Sequence, residues 1–222
     1  MANKINEIHV TLTGTTPLLL HADNIDWADQ MDVWRKNAQN KKISKAGDDR
    51  TPSWRWVGCL HHDNGVLVVP SENIMKALME GAAQVPTGKG QKTYKSQSQS
   101  GLLCSSFSWP LMVSDQTVNW ADIQSLCDDE LTFNDQVKRV EKLGFELFVK
   151  RARIGTAKHI RVRPRFAQWS CSGAISIIDP QITVKTLHEF LTIAGQYKGL
   201  GDWRPGAKTP GPFGMFTATV DE

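Results

Sequence analysis

Between Leu147 and Ile178 the chain carries no aspartate or glutamate, and three strand-like runs follow one another with short breaks. Residues 145–153 and 158–166 read as two strands joined at Ile154-Gly155-Thr156, and 170–178 as a further strand with Cys171, Gly173, Ile175 and Ile177 at alternate positions. A period of two across a tight turn is the pattern of antiparallel hairpin strands. This stretch commits a large part of the chain to an antiparallel sheet, and the remaining segments must cover it.

Residues 5–13 alternate as an opening strand, which Gly14 to Pro17 then turns. Trp27, Met31, Trp34 and Ala38 recur at helical spacing, which predicts a helix over 26–42, closed by the loop AGDDRTP. Residues 53–60 and 65–69 read as two strands joined by a turn at 61–64, with Trp54 and Trp56 on one face. Ser71 is the expected N-cap of a helix whose buried face holds Ile74, Ala77, Leu78 and Gly81. The polar, glycine-bearing segment 85–101 reads as a long mobile loop. Residues 106–113 read as an edge or broken strand because of Pro110. Residues 120–143 read as helical, interrupted near Asp128-Asp129. A helix over 183–198, the loop KGLGDWRPGAKTPGPFG and a closing strand MFTATV complete the chain.

The outer and closing elements run strand, helix, two strands, then strand, helix, strand, which is the split β-α-β order of ferredoxin-like folds. The expectation is an α+β chain built as a ferredoxin-like, RNA-recognition-like palm: an antiparallel sheet with helices on one face and the other face free for a ligand. It is expected to be a single domain over 1–222, with a mobile-loop insertion at about 85–105 and a basic hairpin at about 145–166.

At 222 residues and 40% hydrophobic content the chain can bury a core. No apolar run approaches the roughly 20 residues of a membrane helix, and MANKINEIHV lacks the apolar core of a secretion signal. A cytoplasmic protein with no membrane partner is expected. Cys59, Cys104, Cys127 and Cys171 form no close pair, so neither a zinc site nor any other cofactor is expected.

The net charge of +3 decides nothing, but the grouping of charge does. On a strand over 158–165, His159, Arg161, Arg163 and Arg165 point to one side, about 6.6 Å apart from the strand rise. Lys150, Arg151, Arg153 and Lys158 complete the basic hairpin. Arginine meets phosphate oxygens with a planar fork and also stacks on bases, and a stripe of one sign is an electrostatic footprint. A solubilising charged hairpin is the alternative, and it ordinarily mixes both signs.

Two further groups join this one. Gly199, Gly201, Trp203 and Arg204 lie in the loop between a helix and the last strand, where glycines let backbone N–H groups approach phosphate and Trp203 offers a stacking face. The competing reading is a helix C-cap followed by a proline-rich turn. Lys89, Lys92 and Lys95 stand at three-residue spacing around Tyr94, in a stretch without acidic residues from 81 to 114. The eight tryptophans offer stacking surfaces or core packing, core being the commoner fate. No H-E-x-x-H, G-x-S-x-G or Walker motif is present, so an enzyme is not expected. A metal-independent ribonuclease using His21 or His159 as base is the enzymatic alternative.

A helix, a G-x-G…G-x-F loop and a final strand in this setting resemble the RAMP superfamily, the repeat-associated proteins of class 1 CRISPR systems. The nearest likeness is to the backbone subunit that coats guide RNA. TGTTPLLLH at 13–21 and GLGDWRP at 199–205 also resemble small bacteriophage proteins of similar organisation. The resemblance implies a palm, a projecting hairpin and polymerisation along a strand. It maps the family's glycine loop onto Gly199, Gly201, Gly211 and Gly214, and its basic groove onto Arg161, Arg163 and Arg204. Here AKTPGP stands between Gly206 and Phe213, a departure from the family pattern. The expected function is cooperative coating of single-stranded DNA or RNA by a homo-oligomer, phage-encoded and acting in the bacterial host cell. A RAMP-type endoribonuclease and a viral structural or assembly protein are the alternatives.

Overall fold

The computed structural model describes residues 6–221. In chain order its elements are β1 (Asn6–Gly14), β2 (Leu18–Leu19), α1 (Ile25–Lys36), α2 (Ala38–Ile43), β3 (His62–Asp63), β4 (Val66–Pro70), α3 (Ser71–Ala82) and α4 (Lys95–Gly101). There follow β5 (Leu102–Cys104), β6 (Ser108–Val113), β7 (Gln116–Thr117), α5 (Trp120–Gln124), α6 (Phe133–Lys142), β8 (Glu146–Ile154), β9 (Ala157–Phe166), β10 (Trp169–Ile177), α7 (Val184–Ile193) and β11 (Phe216–Val220). The chain is α+β, with helices and antiparallel strands. Among the described residues no helix is long and apolar enough to cross a membrane.

Two compact units emerge from these elements. One takes residues up to 18, 68–117 and from 168 on; the other takes 19–67 and 118–167. The sequence reading of one domain with insertions at 85–105 and 145–166 thus meets a chain whose hairpin belongs to a unit of its own, drawn from two separated segments.

The first unit is built on the antiparallel sheet β11-β1-β10-β6-β4. β1 pairs with β10 from Asn6↔Ile177 to Thr13↔Ser170, and with β11 from Val10↔Val220 to Gly14↔Phe216. Alternation sorts the two faces. Ile8, Val10, Leu12, Cys171, Ile175, Trp109 and Leu111 are buried, while Thr11, Thr13, Ser170 and Ser172 are not. α3 and α7 pack on each other, burying Ile74, Ala77 and Leu78 of the first and Leu187, Phe190 and Leu191 of the second. Gly81 allows this approach, since a Cβ there would overlap the Phe190 carbonyl oxygen.

Several sequence expectations are corrected here. Ser71 is the first helical residue, and the cap is Pro70, with no side-chain cap bond. Segment 85–101 is not one long loop. Pro86 and Thr93 form a bridge, and Lys95–Gly101 is helical. β6 is no edge strand: its first half pairs with β4 and its second with β10, and Pro110 sits where the ladder changes partner. β5 lies on β10 beyond β6, so the two act as one interrupted strand.

The second unit is built on the β8–β9 hairpin, paired from Glu146↔Arg165 to Ile154↔Ala157, with the Leu19 end of β2 beside β9. Segment 53–60 is not a strand. Arg55–Cys59 forms a 3-10 turn that buries Trp56, Val57 and Cys59. Trp56 stacks edge-on to Phe145, and its Nε1 donates to Gln136. Trp34 and Trp54 both donate to Asp129. The predicted helix over 26–42 is broken at Asn37, whose extended backbone ends α1 and whose side chain caps α2. Most of the tryptophans are core side chains: Trp34, Trp54, Trp56, Trp109 and Trp169 are all buried.

Candidate nucleic-acid interface

The hairpin keeps the predicted alternation. Val162, Pro164 and Phe166 are buried on one side of β9, while His159, Arg161, Arg163 and Arg165 share the other. Antiparallel register puts Lys150 beside Arg161, Phe148 beside Arg163 and Glu146 beside Arg165 on that face. Arg151, Arg153 and Lys158 lie on the opposite face toward the turn.

The stripe is not a row of solvated cations. Arg161 Nη1 donates to Asp49 at 3.1 Å, Arg163 Nη1 reaches the same carboxylate at 3.5 Å, and so does Arg55 Nη2 at 3.5 Å. Asp49 is held in place because the loop 47–49 runs along β9. Ile160 N donates to the Gly47 carbonyl, and Asp49 N to the Ile160 carbonyl. The His159 ring lies so close to Gly47 that a Cβ there would overlap it, and the Gly47 φ of +76° is itself one that favours glycine. Arg165 pairs with Glu146 and sits 5.4 Å from the Phe148 ring centre. The one-sided stripe expected as a ligand footprint is therefore partly internal at Arg161 and Arg163: the Arg163 side chain is only 13% exposed and Asp49 only 7%.

The outer half of the hairpin is different. Lys150, Arg151, Arg153 and Lys158 are exposed. Among the described residues no carboxylate forms an ion pair with Arg151, Arg153 or Lys158, and Arg153 Nε donates to the Gly155 carbonyl in the turn. Arg151 and Lys158 stand exposed on either strand of this outer half.

The glycine loop serves the fold. Arg204 is buried and makes two hydrogen bonds to Glu80 at 2.7 and 2.9 Å, with a third to the Lys198 carbonyl. Its assignment as a groove cation is corrected by this engagement. Gly199 and Gly201 take φ of +68° and +73°, and Leu200 N donates to the Gly214 carbonyl, closing the loop on itself. Trp203 Nε1 donates to the Pro210 carbonyl, and its ring packs 5.5 Å from Phe213. Lys89, Lys92 and Lys95 are exposed around an open depression that also takes in Tyr94, Gln97 and Asp179. Of the three signals, the hairpin belongs to the second unit, and the lysines and the glycine loop to the first.

Sequence reasoning missed a second feature of the hairpin unit. His21, Trp27, Arg55, Cys59, Arg161 and Arg163 line a cleft of about 290 Å³ with Asp49 among its walls. His21 Nε2 lies 3.3 Å from Arg163 Nη2. Burial pushes the Arg55 guanidinium below its ordinary value, against the opposing pull of the Asp49 charge. Arg55 carries no signal in the sequence, because a strand over 53–60 places it on the face away from Trp54 and Trp56. No family model matches the chain. No curated protein matches it.

Proposed function

We propose that this is a non-enzymatic protein that binds single-stranded nucleic acid along the β8–β9 hairpin. The observation that carries the reading is the outer half of that hairpin. Lys150, Arg151, Arg153 and Lys158 are exposed, with cations on both faces of one β-ribbon. Such a ribbon contacts a backbone without reading bases, because phosphate contacts position a ligand and carry no sequence.

The palm assignment belongs to the same proposal. In the first unit the order β11-β1-β10-β6 has α3 between β1 and β6 in sequence and α7 between β10 and β11. That is the strand order of a ferredoxin-like sheet, and it supports the RAMP-like relationship. One hairpin covers few nucleotides, so affinity would come from copies assembled cooperatively along the strand. In this reading the protein works in the cytoplasm, where its cysteines, free of disulfides, stay reduced.

Titrating labelled single-stranded RNA and DNA against NaCl tests the reading. With four exposed cations on phosphates, the logarithm of affinity should fall with a slope of about −3 against log salt. A flat salt dependence overturns it. A second reading, a metal-independent ribonuclease, is favoured by His21 beside Arg163 in the arginine-lined cleft. Shortened RNA in the presence of EDTA would replace binding with cleavage.

A further inference from the structure

The cleft in the hairpin unit is a site distinct from the exposed ribbon. Arg55 and Arg161 share one carboxylate, Asp49, at 3.5 and 3.1 Å, and Arg163 reaches it as well. Counting Arg55 and Arg161 alone, two guanidinium groups meet one anion. Asp49 is buried, and the Arg55 side chain is only 25% exposed. Excess positive charge withdrawn from water is costly unless an anion answers it.

The other charged groups of the cleft do not supply that anion. Asp32 lies at the rim and closes on Arg35 at 3.2 Å, and Asp23 is exposed. Beside the polar His21 and Asn24, the remaining wall is formed by apolar and aromatic side chains, among them Trp27, Met31 and Val162. Met31 is buried there, and the Trp27 ring lies so close to Gly58 that a Cβ at 58 would overlap it. Trp27 is fixed from both ends, since its Nε1 donates to the Arg55 carbonyl and its ring packs edge-on to Trp54 at 5.4 Å. Guanidinium forks beside a held indole match a phosphate attached to a flat, partly apolar group. At about 290 Å³ the cleft lies at the small end of ligand pockets, room for one nucleotide unit and not for a strand.

We infer that this cleft binds the phosphomonoester of a single nucleotide, its phosphate on Arg55 and Arg161 and its nucleoside toward Trp27. The same chemistry is offered by a free mononucleotide and by the phosphorylated end of a strand. The inference does not depend on the ribbon's reading, because the two sites use different side chains.

Calorimetric titration of the full chain with AMP, adenosine, and a hexanucleotide with and without a 5′-phosphate tests it. AMP should bind saturably and at least about tenfold more tightly than adenosine. If strand ends are the source, the 5′-phosphate should strengthen hexanucleotide binding beyond AMP itself; if free mononucleotides are, AMP should bind more tightly than the phosphorylated hexamer. Arg55→Gln should weaken AMP binding about tenfold. Arg161→Lys keeps a charge on Asp49 and loses the fork, so it should fold and still weaken AMP severalfold, which decides the matter if Arg55→Gln does not fold. Arg151→Glu with Lys158→Glu should leave AMP binding unchanged, separating this site from the ribbon. Equal affinity for AMP and adenosine, no binding of either, or AMP binding untouched in Arg161→Lys overturns the inference.

Discussion

Arg161 donates to the carboxylate of Asp49 at 3.1 Å across 112 positions of sequence. This contact turns half of a surface-looking arginine stripe into internal structure. Reversing Arg161 and Arg163 to glutamate would set two new carboxylates against a buried one left with Arg55 alone. Breaking a buried pair from one side costs about 3–5 kcal/mol. The double variant should therefore lose at least about 3 kcal/mol, read as a lower urea midpoint. Arg151→Glu with Lys158→Glu, at the exposed outer end of the hairpin, should stay within about 0.5 kcal/mol of the parent while losing strand binding. If the first variant is as stable as the parent, Asp49 does not hold the stripe.

The same contact explains what sequence could and could not reveal. The alternation at 158–166 and the turn at 154–156 are local, so the hairpin and its two faces were legible. So were β1, α3, α7 and β11, each carried by its own period. Asp49 was hidden in a segment read only as a loop, because its role depends on that loop lying along β9. Arg204 was legible as a cation and not as a structural one, because Glu80 stands 124 residues away. Segment 53–60 reads as a strand by its alternating tryptophans, and tertiary burial of Trp56 on Phe145 turns it into a 3-10 turn instead. The division into two units was invisible because neither is continuous in sequence.

Gly81 lies inside α3, where alanine ordinarily gains about 1 kcal/mol in helix propensity. Here a Cβ would overlap the Phe190 carbonyl oxygen and come within 3.1 Å of the Ala194 Cβ. Backbone has little room to yield, and overpacking costs about 1–3 kcal/mol. Gly81→Ala should lower the melting temperature, and a rise would mean that α3 and α7 can separate at no cost.

Arg204 is tied to Glu80 by two hydrogen bonds and to the Lys198 carbonyl by a third. Arg204→Ala leaves a half-buried carboxylate without its donor and leaves that carbonyl to the Gly206 N–H alone, and should cost about 3 kcal/mol. Because Arg204 faces inward, the folded fraction of the variant should bind single strands as the parent does. Measuring the urea midpoint and strand affinity on one preparation checks both halves, and a binding loss at unchanged stability would return Arg204 to the ligand.

Asp48 accepts from Arg50 through Nε at 2.9 Å and Nη2 at 2.7 Å, and from the Arg50 backbone N–H at 3.0 Å. The Arg50 side chain holds the Asp48 carboxyl below its ordinary value, with burial opposing. A carboxyl whose folded value is depressed binds fewer protons folded than unfolded below the ordinary value, so it stabilises most where both forms are ionised. Its contribution is fully present above about pH 4 and fades as pH falls through the lowered folded value. Asp48→Asn retains the backbone-capping oxygen and removes the charge, and should cost about 1 kcal/mol at pH 7, between an exposed pair and a buried one. The urea midpoints of parent and variant should differ equally at pH 7 and pH 5 and converge below about pH 4. A gap that persists undiminished at pH 2 would mean that the charge on Asp48 contributes nothing to the fold.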